Sequence, residues 1–205
     1  TDLMFLKLAD LDTSLGFSGD SGFVPQLAER WSRVDPRTVR FALNPAARWH
    51  DGRPVRADDV TFTFEIYRDT LVNSPQRPLL GRIASVTAED SLTVVFRFSQ
   101  RYAEQFFDAV SHMRVVPRHL LDTIPRRELA AHPFTRAPVG SGPLRFVRWV
   151  AGQYVELAAD STFFLGRPGV PRIIFRVIAN PGAGLPLLIA GEADYLNYLG
   201  IPENR

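Results

Sequence analysis

The run Arg48-Trp49-His50-Asp51-Gly52-Arg53-Pro54-Val55-Arg56-Ala57-Asp58-Asp59-Val60 dictates a local structure more firmly than any other part of the sequence. Trp49 and His50 carry ring N–H donors that can pin a loop. Asp51 can accept backbone N–H groups while Gly52 supplies a positive φ, so the four residues read as a structural turn. Asp58 and Asp59 then stand where a helix N-terminus favours negative charge. Val60, Phe64, Tyr67 and Leu71 follow at helical spacing. Although Thr61 to Phe64 also alternates like a strand, the length predicts a helix over 57–72.

A second constrained segment lies much further on: Ala137-Pro138-Val139-Gly140-Ser141-Gly142-Pro143-Leu144. Gly140 and Gly142 permit close approach to another backbone or to a ligand, and Pro138 and Pro143 stiffen the chain around them. Val139, Gly140, Ser141, Gly142 and Pro143 are therefore the candidate ligand-lining residues.

The chain has 205 residues, 45% of them hydrophobic, with fifteen Phe, five Tyr and three Trp. That is enough for one sizeable core and argues against disorder. Net charge is only +2. Lys7 is the single lysine, and the arginines are spread along the chain. Arg114, Arg118, Arg126 and Arg127 read as a solvated helical face, so no nucleic-acid partner is expected. No apolar run approaches the ~20 residues of a membrane helix.

Catalytic patterns are missing. With no Cys there is no disulfide, thiolate metal site or Cys nucleophile. His50, His112, His119 and His132 fall in no recognised metal spacing, so no metal and no cofactor is expected. Gly140-Ser141-Gly142 lacks the Gly-x-Ser-x-Gly spacing of a nucleophile elbow, which leaves a Ser141 hydrolase as a distant alternative. Gly182-Ala183-Gly184 lacks the third glycine of a dinucleotide loop. Asp58/Asp59 and Glu89/Asp90 read as helix-start and turn residues. No catalytic residue is assigned, and a binder is favoured over an enzyme.

Residues 3–11 read as a short helix or strand and 12–24 as a glycine-bearing loop. Strands are expected from Pro25 to Trp31, Val39 to Leu43, Ile83 to Val86, Leu92 to Phe98 and Arg172 to Ile178. A further strand begins over Ala193 to Leu196. Leu144 to Trp149 and Tyr154 to Ala158 make a hairpin. Helices are expected over Tyr102 to Val110, Pro117 to Ile124 and Gly184 to Ala190, the last capped by Gly191. Residues 125–143 form a long connection. Trp31, Trp49 and Trp149 read as core or loop anchors. The irregular alternation gives an α/β or α+β class with a mixed sheet.

Five segments, in order, resemble the extracellular solute-binding proteins of family 5, the dipeptide and oligopeptide type of ABC importers. They are Pro25-Gln26-Leu27-Ala28-Glu29-Arg30-Trp31, Val39 to Pro45, Arg48 to Val60, Ala137 to Phe146, and Ile189-Ala190-Gly191-Glu192-Ala193-Asp194. Leu144 stands where the family usually has Tyr. The resemblance implies lobe I of a type II-like periplasmic binding fold. Residues 1–44 and 138–205 would build its main sheet and 45–137 an inserted α+β subdomain, with lobe II not present in this chain. It further implies capture of a peptide, a nickel chelate or an oligosaccharide outside the cytoplasmic membrane, and delivery to permease subunits. A lipid anchor ahead of Thr1 fits that setting. A non-transport sensing or interaction module built on the same lobe is the alternative.

Overall fold

The computed structural model describes residues 2–13 and 16–196, apart from the side chain of Pro181. The chain opens with turns up to Phe5, then forms β1 (Ala9–Leu11), which pairs antiparallel with β2 (Phe23–Pro25). The 12–22 loop between them is tied down by the Arg33 guanidinium, which donates to Asp20 and, over 2.9 Å, to Gln105 Oε1.

β3 (Ala28–Asp35) and β4 (Thr38–Leu43) enter a four-stranded antiparallel sheet with β5 (Ile83–Ala88) and β6 (Thr93–Phe98), in the order β3-β4-β6-β5. Alternation in β4 and β6 explains the buried face. Val39 pairs with Phe96 and Phe41 with Val94, and all four are fully buried. α1 (Ala57–Arg68) lays Val60 and Phe64 against this sheet. α2 (Gln105–Ser111) closes one end with Phe106, whose ring lies 4.7 Å from Phe23, 5.0 Å from Trp31 and 5.4 Å from Phe41. These residues share one core that runs from Leu6 to Val115. A small satellite of Phe62, Ile66 and Leu121 sits under α3 (Arg118–Leu121).

Beyond two 3₁₀ turns (126–131 and 133–135), β7 (Leu144–Val150), β8 (Tyr154–Ala159) and β9 (Arg172–Arg176) form a separate antiparallel sheet. α4 (Gly184–Ile189) follows, and Gly191 takes φ +72° just past its end, as a helix stop requires. The β7–β9 sheet has two unlike faces. On one, Glu156 is buried between the Arg148 guanidinium at 2.8 Å and that of Arg172 at 3.4 Å. On the other, Trp149, Val155 and Phe175 lie in register, with Trp149 and Phe175 exposed.

Several expectations are corrected here. All ladders among the described residues are antiparallel, in place of a mixed sheet. A division between residues 44 and 45 would cut the hydrogen-bonded pair β4–β6. Likewise β3 and β4 do not share a sheet with β7–β9, so residues 1–44 and 138–205 do not build one sheet among the described residues. α1 stops at Arg68 rather than 72, because the Asp69 carboxylate takes the Leu71 N–H at 2.7 Å and turns the chain. Residues 193–196 form no strand. Trp149 is exposed instead of anchored in the core, with the Arg136 guanidinium 6.0 Å from its ring centroid.

Candidate functional site

The turn forms as its residue types require. Trp49 N–H donates to Arg53 O, Gly52 N–H to Trp49 O, and Arg53 N–H to the Asp51 carboxylate at 3.1 Å. Gly52 has φ +86°, and a Cβ there would meet nothing within 4 Å, so its glycine serves the backbone alone. The Trp49 ring is buried, and its Nε1–H donates 3.3 Å to Asp59 Oδ2.

Asp59 is the hub beneath the turn. Its Oδ2 also accepts Arg56 N–H at 2.8 Å, which is the acidic half of a capping box, and its Oδ1 accepts Arg118 N–H at 2.9 Å. One carboxylate thus fastens the turn, the start of α1 and the start of α3. Burial pushes its pKa up, and the three donors offset this only in part. Asp51 reaches α3 as well, with His119 Nε2 2.6 Å from its Oδ2. Burial raises the Asp51 pKa, but His119 and the Arg53 N–H outweigh it and the net shift is downward.

His50 joins this turn to the second constrained segment. Its N–H donates to Gly140 O at 2.7 Å, Gly140 N–H points at its Nδ1 at 3.2 Å, and its Nε2 lies 2.9 Å from Gly142 O. An amide N–H can only donate and a carbonyl can only accept, so the ring is neutral with its proton on Nε2. Burial lowers its pKa, against the pull of Gly142 O and Asp160.

The glycines of the segment are explained by Leu3 and Met4. Ser141 and Gly142 N–H donate to Met4 O, and Leu144 N–H donates to Leu3 O. A Cβ on Gly140 would lie 1.9 Å from Met4 O, and one on Gly142 would lie 2.6 Å from Leu3 O. The close approach anticipated from the sequence is therefore to backbone. Gly140, Ser141 and Gly142 are buried, while Val139 and Pro143 are half-buried. Pro143 O accepts Asp160 N–H, and the Asp160 carboxylate takes Arg145 at 2.7 Å and both donors of Thr162. Burial raises the Asp160 pKa, but these partners carry it below the usual carboxylate range.

Ser141 offers no hydrolytic chemistry. It is 1% exposed and its Oγ has no hydrogen-bond partner, so no base activates it. Ser141→Ala removes an unsatisfied hydroxyl. It should leave stability unchanged or raise it by about 1 kcal/mol in urea unfolding, and a clear loss would reveal a partner for Oγ. No group of three or more His, Asp or Glu among the described residues can hold a metal ion, and no described helix is long and apolar enough to cross a membrane. A concavity of about 400 Å³ between α1 and α3 is lined by Asp58, Glu65, Arg118 and Arg126, and it includes none of Trp49 to Gly52 or Val139 to Pro143.

This arrangement is a turn, a helix start and a backbone crossing locked together, a scaffold built of internal contacts. The sequence profile of the bacterial extracellular solute-binding proteins, family 5 (Middle), matches residues 22–204, and the chain belongs to this family. The family is one of solute-binding proteins of ABC transporters, not of enzymes. A Brucella ovis protein named as an ABC transporter peptide-binding protein is 36% identical over 164 residues, covering 79% of this chain and 31% of that protein. Among solved structures, NikZ from Campylobacter jejuni in complex with Ni(L-His) is 30% identical with a TM-score of 0.79, over 93% of this chain and 37% of that one. The oligopeptide-binding protein AppA from Bacillus subtilis, in complex with a nonapeptide, is 26% identical with a TM-score of 0.84, over the same shares. The chain thus spans about a third of the length of its relatives, and its α/β architecture is that of one lobe of their type II-like fold.

Proposed function

We propose that this chain is part of lobe I of a solute-binding protein that captures a peptide, or a related small solute, outside the cytoplasmic membrane and delivers it to the permease of an ABC importer. The observation that carries this reading is the coincidence of fold and motif. The buried crossing of Gly140–Gly142 on Leu3 and Met4, latched by His50, lies within a chain that superposes on AppA over 93% of its length.

Peptide is the first ligand to test because the relatives most similar in sequence are named as peptide binders. Within the segment, Val139 and Pro143 are the residues with surface to offer a ligand, and Gly140 to Gly142 position them. Closure of two lobes on a ligand would supply the signal for docking on the permease. A ligand shifts such an equilibrium only by its difference in affinity for the two states.

Thermal unfolding of the complete gene product that contains this sequence tests the proposal, against di- to pentapeptides, nickel chelates and short oligosaccharides. A ligand at 100 times its Kd should add about 2.7 kcal/mol of stability. A peptide-specific shift is expected. No shift with any member of the panel would sink the importer reading and favour a sensing or interaction module.

A further inference from the structure

His50 does more than hold a loop in place, because the contacts around it can be satisfied in only one protonation state. The neutral ring accepts from Gly140 N–H at Nδ1 and donates to Gly142 O from Nε2, bracketing the buried segment at both ends. The ring edge packs close enough that Cε1 lies 3.2 Å from where a Gly140 Cβ would stand. Protonation would put an N–H on Nδ1, facing the N–H of Gly140. Two donors would then meet inside a buried contact, which costs at least the lost hydrogen bond.

His119, on α3, meets the turn through a contact of a different kind. Its Nε2 faces the Asp51 carboxylate at 2.6 Å, and an imidazolium is still a donor there, with charge to assist it. Acid therefore weakens the tie between the turn and Gly140.

We propose that His50 is an acid-sensitive latch. As the neutral Nε2–H tautomer it fastens the 48–53 turn to the Gly140–Gly142 segment, and on protonation it lets Gly140 go while His119 keeps the turn on α3. The ionisable groups around His50 are Asp51 on its own turn, and Arg145 and Asp160 from the β7–β8 hairpin. Asp160 is paired with Arg145 and Thr162, and Asp51 with His119, and the pull of the two carboxylates on His50 is outweighed by its burial.

The direction with pH follows from linkage. The released ring titrates near the ordinary histidine value of ~6.5, and the latched ring titrates lower because it is buried. Above ~6.5 both forms are neutral and the latch is at full strength. Below it the released form alone gains a proton, and the released population rises about tenfold per pH unit until the latched ring also protonates.

In a complete binder this would loosen the segment that carries Val139 and Pro143 and weaken ligand binding in acid. That consequence rests on the proposed function, but the latch itself does not, and it can be tested on this chain without ligand. Amide hydrogen exchange, followed by NMR from pH 7.5 to 5, reads it directly. The protection factor of Gly140 should fall about tenfold per pH unit below ~6.5, and it should stay flat in His50→Gln, whose amide side chain keeps a donor and an acceptor but does not titrate. A Gly140 protection factor independent of pH in the native chain, or falling equally in His50→Gln, would overturn the latch. If that variant does not fold, the ring nitrogens of the native chain decide. An Nε2–H tautomer titrating below 6.5 supports the latch, and an Nδ1–H tautomer or a higher pKa contradicts it.

Discussion

Gly140→Ala should cost the fold about 3 kcal/mol, while the same change at Gly52 should cost about 1 kcal/mol. The two glycines look alike in sequence but do different work. At Gly52 the penalty is conformational, since φ is +86° and the added methyl meets open space. At Gly140 the methyl would stand 1.9 Å from Met4 O and 2.8 Å from Met4 C. Those are backbone atoms held by the N–H groups of Ser141 and Gly142, so they cannot yield as a flexible side chain would. For a chain of this size the larger cost corresponds to a drop of roughly 6–12 °C in Tm. Urea unfolding of both variants makes the comparison. A Gly140→Ala protein within ~1 kcal/mol of native would mean that the crossing is loose.

Asp59→Ala should be at least as damaging, at about 4 kcal/mol, because a buried carboxylate leaves three donors behind it: Arg56 N–H, Arg118 N–H and Trp49 Nε1–H. The Trp49 ring and the first turns of α1 and α3 would loosen together. Asp59→Asn keeps an accepting oxygen and should cost less than half as much. The two variants also separate hydrogen bonding from charge. Asp59 has a raised pKa in the folded state, so its ionisation is harder there than in the unfolded chain. Its contribution is complete below the ordinary carboxylate range and is lost as pH rises through the folded pKa. Asn cannot ionise, so the stability difference between Asp59→Asn and native protein should move in favour of Asn as pH rises through that window. A difference independent of pH would show that the three donors cancel the effect of burial, and one that moves toward native protein would show that they dominate.

The local parts of this architecture were readable in the sequence because they depend on neighbours. The turn at 48–53 needs an Asp, a Gly and an aromatic anchor within a few residues, and the start of α1 needs its acids. The alternation of Val39, Phe41 and Leu43 likewise announces a half-buried strand. Partners distant in sequence left almost no trace. The paired glycines at 140 and 142 declared that something comes close, but nothing in the sequence said that it is the backbone of Leu3 and Met4. Nor did any pattern foretell that the Asp59 carboxylate would cap Arg118 N–H, or that His119 would meet Asp51, since both pairings arise only when α3 is laid against α1. Strand directions were misjudged for the same reason. Alternation tells which face a residue occupies but not which neighbour its strand pairs with, so the join between β4 and β6 has no signature in the sequence.

The placement of the candidate ligand residues shifts accordingly. Gly140, Ser141 and Gly142 spend backbone groups on Met4 and His50, so under the proposed function they would act by holding Val139 and Pro143 in place. The proposed function implies that a single lobe has little of the differential affinity that drives closure, because a ligand bridging two lobes draws part of its contacts from the second. Calorimetric titration of one ligand, chosen from the panel, into this chain and into the complete gene product tests that claim most directly. Saturable binding by the complete product, with at least a hundredfold weaker binding by the chain alone, is the predicted result. Equal affinity for both would contradict it and place a complete site within this 205-residue chain.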